Sequence, residues 1–309
     1  MPRLHAQIGT FRQLEILLAV YKTGSITHAS KALFLTQPTV SMQLKKLSDA
    51  VGMRLYDQVG RKLIFTEAGL EVISSAREIM GCIERLDMKL SDMQGLKKGT
   101  LRLAVVTTSK YFIPHLLGDF LQLYPNIDID FKVGNRQQII DRMESGEDDF
   151  YVFSHPPKTQ DLILHEFLPN PLIAIAQEGH PLSAEKNIPL QKFLDQPFLM
   201  RESGSGTRYA IENHLDRLNA KLNSRMTIES NEAIKHAVMS GLGVTILSDH
   251  TLSFGGSTGL TKLDVQELPI MTKWYLANLQ AKQLSVVART FLDYVTSSGK
   301  GEMMANANS

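Results

Sequence analysis

The chain predicts an α+β multidomain protein: an N-terminal winged helix-turn-helix, a long linker helix and a C-terminal two-lobed α/β domain. Three observations carry that expectation. Two short helical patterns flank a tight turn in "SITHASKALFLTQPTVSMQLKKL", residues 25–47. A proline-free stretch from Glu67 to about Gln94 keeps one apolar seam. After Gly99, strand and helix patterns alternate. The expected boundaries are 1–66 for the head, 67–96 for the linker and 97–309 for the body. Within the body, lobe 1 covers about 97–164 and 267–297, lobe 2 about 165–266, and a disordered tail about 298–309.

In the head, "FRQLEILLAVYKTG" sets Phe11, Leu14, Leu17, Leu18 and Tyr21 at helical spacing, and Gly24 ends the helix. Ser25 caps the next helix, where Ala29 and Ala32 are small enough to admit a close neighbour. Phe34 and Leu35 make the turn, Thr36 caps a third helix, and Pro38 fits its first turn because no N–H is needed there. On the third helix Val40, Leu44 and Leu47 fall within about 60° of one another and point inward. Gln37, Pro38, Thr39, Ser41, Met42, Lys45 and Lys46 then point out, a face suited to a major groove. The lysines would neutralise phosphates, while Gln37, Thr39 and Met42 would reach base edges. Ser25, Thr27 and Thr36, at the helix starts, complete the candidate DNA face. "MRLYDQVGRKLIFTEAG" reads as a hairpin with a basic tip at Arg61 and Lys62, a wing able to follow the backbone or the minor groove.

Charge agrees. Residues 1–66 hold nine basic and three acidic side chains, a net of +6, while the whole chain of 309 residues is only +1. A basic head on an acidic body expects a polyanion at the head alone. No stretch approaches the ~20 apolar residues of a membrane span, and "MPRLHAQIGTFRQLE" lacks signal-peptide features. A cytoplasmic location is expected. The single cysteine, Cys82, excludes an intramolecular disulfide, and it reads as packing within the linker helix. No His or Cys cluster has metal-ligand spacing, so no metal and no cofactor are expected. No histidine has an evident orienting carboxylate, and Asp148–Asp149 reads as a solvated helix end; an enzyme is not expected.

The segment "FRQLEILLAVYKTGSITHASKALFLTQPTVSMQLKKLSDAVGMRLYDQVGRKLIFTEAG" resembles the N-terminal signature of LysR-type transcriptional regulators. Met42 stands where that family often has arginine, Ser48 where glutamate is usual, and Gln58 replaces a common arginine ahead of the wing. "DQVGRKL" resembles the subgroup that controls Calvin-cycle (RuBisCO) operons. The resemblance implies an activator that represses its own divergent gene, a dimer of dimers, and contact with RNA polymerase. It also implies an effector domain sharing the fold of periplasmic solute-binding proteins.

In the linker, Ile73, Ala76, Met80, Ile83, Leu86 and Leu90 follow near-heptad spacing and predict a dimerisation seam with a second copy of the chain. Two-fold symmetry then expects near-palindromic double-stranded DNA. In the body, "LRLAVV", "IDIDFKV" and "DFYVFS" alternate with helices and predict a parallel sheet. Ligands in such folds sit beyond the carboxyl ends of the strands. Three loops qualify: Thr107, Thr108, Ser109 and Lys110; Asn135 with Ser154 and His155; and "RESGSGTR", which supplies Arg201, Glu202, Ser203, Gly204, Ser205, Gly206, Thr207 and Arg208. Glycines, hydroxyls and two arginines at a helix start favour a small anionic effector. The competing reading is a small-molecule sensing or solute-binding protein whose head serves protein–protein interaction.

Overall fold

The computed structural model describes residues 10–59, 62–94, 97–158 and 161–297, and the side chains of all of these except Val59 and Lys62. Arg61 and the tail after residue 297 therefore lie outside the described residues. The chain divides into two compact units, 1–90 and 91–309.

The first unit begins with α1 (Phe11–Thr23), α2 (Ile26–Ala32) and α3 (Gln37–Val51). Gly24 closes α1 in the left-handed region, φ +64°, and Ser25 caps α2 by accepting from the His28 N–H. Phe34 takes the turn with a left-handed φ of +54° and is 96% exposed. Thr36 Oγ1 accepts from the Thr39 N–H, and Pro38 occupies the first turn of α3. Val40, Leu44 and Leu47 are fully buried against Leu14, Leu17, Val20 and Ala29. Each such side chain stabilises the head by about 2 kcal/mol. Strands β1 (Tyr56–Val59) and β2 (Lys62–Phe65) pair antiparallel, Tyr56 opposite Phe65, and form the wing.

The linker helix α4 spans Glu67–Met93, roughly 40 Å at 1.5 Å per residue. Ile73 and Ala76 are buried in the head core, which corrects their assignment to an outward seam: their face of the first turns packs on the head. Ile83, Leu86 and Leu90 are exposed and Met80 is half-buried, so an apolar stripe persists beyond the head. Cys82 is exposed, so it does not pack as expected.

The second unit holds β3 (Gly99–Val106), α5 (Ile113–Leu123), β4 (Ile127–Gly134), α6 (Arg136–Glu144), β5 (Phe150–Phe153) and β6 (Leu162–Gln177). It continues with α7 (Leu190–Leu194), β7 (Phe198–Arg201), α8 (Gly206–Arg217), β8 (Ser224–Ile228) and α9 (Asn231–Met239). Then come β9 (Thr245–Ser248), α10 (Asp249–Ser253), β10 (Leu260–Leu263), β11 (Ile270–Leu279) and α11 (Val286–Ser297). Strands β4, β3 and β5 are parallel neighbours, as are β7 and β8. The expected all-parallel sheet is nevertheless corrected to a mixed one. β11 returns antiparallel to both β5 and β6, and β9 and β10 also pair antiparallel with β6. One ladder of β6 with β11, Leu162↔Leu279 to Leu172↔Ile270, runs across the expected lobe boundary between residues 164 and 165.

Asp148 and Asp149 are buried rather than solvated. Arg142 grips Asp148 with Nε at 2.8 Å and an Nη at 2.7 Å, and Lys282 lies 3.6 Å from Asp149. Such a pair fastens the end of α6 to the segment leading into β5.

Candidate nucleic-acid interface and effector site

On α3 the outward face has Gln37, Pro38, Met42, Lys45 and Lys46 exposed, with Thr39 and Ser41 half-buried. Lys45 and Lys46 form no ion pair among the described residues, whereas Arg12 is held by Glu15 and Arg54 by Asp57. The two lysines are therefore available to phosphates. Thr39 Oγ1 lies 2.8 Å from Thr36 Oγ1, so one hydroxyl of the DNA face is engaged by its own cap. Gln13 on α1 donates to Gln43 Oε1 at 3.0 Å, a cross-link that fixes the pitch of α3. Ser25 and Thr27 are half-buried and Thr36 is exposed. Lys62 opens β2, its side chain outside the described residues.

The expected effector loops lie at the carboxyl ends of β3, β4, β5 and β7. A tight cavity of about 20 Å³ joins Thr107, Thr108, Ser154, His155, Arg201, Glu202, Ser205, Gly206 and Thr207, with Val106, Phe153 and Arg136. Arg201 is only 3% exposed and fully engaged. Its guanidinium meets both Glu202 oxygens, at 2.7 and 2.8 Å, bonds Asn231 Oδ1, and reaches Thr107 Oγ1 at 3.5 Å. Asn231 Nδ2 in turn donates to Thr108 Oγ1 at 3.1 Å. Tyr111 donates to Glu232 at 2.6 Å, a further tie between the loop after β3 and the start of α9.

Several expected residues do other work. Ser109 is buried and donates to the Val106 carbonyl at 2.8 Å. Lys110 sits 5.1 Å over the Tyr111 ring. Asn135 forms a capping box with Gln138 on α6. Ser203 and Gly204 are exposed and line neither cavity; Gly204 has a left-handed φ of +83°. Ser205 caps α8 through the Arg208 N–H, and Arg208 pairs with Glu212 at 2.7 Å. Gly206 is required for close approach: a Cβ there would lie 2.7 Å from Ser154 Oγ. That contact forms a wall shared with a second, larger cavity of about 590 Å³, which extends over Pro156, Pro157 and Lys158 to residues of β6 and β11.

Arg136 was missed from sequence, since an arginine opening a helix looks like a solvated one. Its Nε donates to the His155 carbonyl at 3.2 Å, and burial lowers its pKa. The His155 ring packs against Tyr209, 3.8 Å between centroids with the planes tilted by 34°. Burial, with the positive charges of Arg136 and Lys158, pulls its pKa below the usual histidine value.

A basic winged helix-turn-helix ahead of an α/β ligand-type domain defines a DNA-binding regulator with an effector domain. The family model for the bacterial regulatory helix-turn-helix protein, lysR family, matches residues 11–70, and that for the LysR substrate binding domain matches residues 94–300. The HTH-type transcriptional activator CmpR of Synechocystis sp. is 49% identical over 288 residues, 93% of this chain and 95% of that protein. A RuBisCO operon transcriptional regulator of Acidithiobacillus ferrooxidans is 37% identical, covering 95% of this chain and 96% of its own. Among solved structures, the regulatory domain of Synechocystis PCC6803 CcmR in complex with 2-PG is 49% identical with a TM-score of 0.62. It covers 66% of this chain and 99% of its own. The chain belongs to the LysR family of transcriptional regulators. Its relatives regulate transcription, and it is a DNA-binding regulator rather than an enzyme. Among the described residues, no helix is long and apolar enough to cross a membrane.

Proposed function

We propose that the chain is a cytoplasmic activator of a carbon-fixation operon that also represses its own divergent gene. It reads a near-palindromic site through α3 and the wing. The observation that carries the DNA-reading part is the division of α3: Val40, Leu44 and Leu47 hold the head together, while Gln37, Met42, Lys45 and Lys46 stay exposed. The stripe Ile83, Leu86 and Leu90 supports pairing with a second copy along α4, into a dimer or a dimer of dimers. RNA polymerase is the partner that an activator recruits. Its effector is a small anionic metabolite bound where the loops after β3, β5 and β7 meet, and 2-PG is the first candidate because the 49% identical regulatory domain was solved with it. Binding there would part the walls of the tight cavity, and the ligand shifts DNA geometry by as much as it prefers the parted shape.

Fluorescence anisotropy with the chain's own promoter fragment tests this reading. Nanomolar, salt-sensitive binding that 2-PG alters in affinity or footprint supports it. Binding indifferent to every small phosphorylated acid would remove the effector assignment, and no preference over random duplex would remove the operator assignment.

A further inference from the structure

The outward side of α3 has an apolar centre. Val40, Leu44 and Leu47 are buried in the head core. At about 100° per residue, the direction opposite them passes within about 15° of Met42 and about 30° of Pro38. Lys45 and Lys46 lie about 50° to either side of it. All four side chains are exposed, Met42 to 48%. A helix seated with this side in the major groove, about 12 Å wide, turns one lysine toward each phosphate wall and Met42 toward the floor.

Polar readers are scarce at that centre. Thr39 Oγ1 is held 2.8 Å from Thr36 Oγ1, and Ser41 is half-buried. Pro38 has no N–H, and a thioether is only a weak acceptor. Every group that base pairs present in the major groove is a hydrogen-bond donor or acceptor except the C5-methyl of thymine. Seating Met42 on a cytosine amino group or a guanine oxygen would take water from that group and return no hydrogen bond. We propose that Met42 is the specificity-determining side chain at the centre of each half-site, and that it reads a thymine by its C5-methyl group. Pro38, four residues earlier, stands about 6 Å back along the helix axis. One base pair rises about 3.4 Å, so a second methyl one or two base pairs away is within reach of Pro38. Gln37 keeps the hydrogen-bonded readout at the leading end of the helix.

This inference rests on the reading of α3 as the helix in the groove, and the experiment separates the two. Replacing thymine by deoxyuridine removes only the methyl and leaves every hydrogen-bonding group in place. Anisotropy of the full chain is measured on the footprinted site of its promoter fragment, with each thymine of a half-site replaced in turn. The proteins are the wild type, Met42→Ala, Met42→Leu and Met42→Arg. One position per half-site should cost the wild type about fourfold in affinity, the worth of one buried methyl. That penalty should vanish in Met42→Ala and persist in Met42→Leu, which keeps an apolar contact. Met42→Arg should favour guanine over thymine there by about tenfold. Thermal melting checks that each head folds, and if Met42→Ala does not, the base preference of Met42→Arg decides. A uracil penalty that Met42→Ala retains, or a wild type indifferent to every methyl, overturns the thymine assignment. The reading of α3 stands if Gln37→Ala still relaxes a base preference, and falls as well if neither substitution alters any.

Discussion

Gly69 lies in the first turn of α4, and replacing it with alanine should destabilise the head although alanine is the better helix former. Alanine in a helix is favoured over glycine by about 1 kcal/mol, so an unconstrained position would gain stability. Here a Cβ would come within 1.9 Å of the Leu55 carbonyl oxygen and 2.9 Å of its carbon, about 1.5 Å short of ordinary contact at 3.4 Å. That oxygen is backbone and cannot swing away. It accepts from Thr66 N–H at 3.0 Å, while Thr66 Oγ1 donates to Arg54 O at 2.7 Å and accepts from Gly69 N–H at 3.0 Å. Overpacking of this kind costs about 1–3 kcal/mol, and losing the Thr66–Leu55 hydrogen bond costs about 1 more. After the helix-propensity gain, a net loss of about 1–3 kcal/mol remains. For a domain of this size that lowers the melting temperature by about 5–25 °C. Calorimetry of the full chain should show the head's transition moving down by that amount while the transition of the 91–309 unit stays in place. Leu55 leads into the wing, so DNA affinity should fall with it. A Gly69→Ala variant that melts at or above the wild type would refute the reasoning.

Gln37→Ala removes an exposed amide from the leading end of α3 and should relax the base preference at one position of each half-site by about 1–3 kcal/mol, read by competition among mutated operators. The double substitution Leu86→Asp and Leu90→Asp places charge on the exposed stripe of α4 and should shift sedimentation toward the monomer. The pKa of His155 is depressed in the free protein, and an anion beside it raises that value. Anion binding should then take up a proton: affinity is highest below the depressed pKa and falls as pH rises through the raised one. Calorimetry in two buffers of different ionisation heat measures the uptake, which His155→Gln should abolish.

Much of the head was legible because its signals are local. Gly24, Ser25, Thr36 and Pro38 each do within one helical turn what their chemistry favours, and the spacing of Val40, Leu44 and Leu47 fixes which side of α3 is buried. The inward turn of Ile73 and Ala76 was hidden because a heptad seam and a core-facing stripe share the same spacing near a helix start. In the body, Pro169 and Pro171 masked the length of β6. They are tolerated because that part of β6 pairs with β11 alone and leaves one edge without a ladder. The effector loops were placed by fold logic, but their chemistry depends on pairs far apart in sequence. Arg201 with Asn231 and Arg136 with His155 are separated by 30 and 19 residues. The sequence "NRQQ" did carry a capping-box signal at Asn135, three residues ahead of Gln138, and that signal outweighed a ligand role.

The salt dependence of operator binding is the most direct test of the DNA-reading claim, measured for the wild type and for the chain carrying Lys45→Ala and Lys46→Ala. Each phosphate neutralised contributes about 0.9 to the slope of log affinity against log salt. If both lysines meet the duplex backbone, the double variant should bind more weakly with a slope shallower by about 1.8 per head. An unchanged slope would mean that the outward side of α3 does not face DNA.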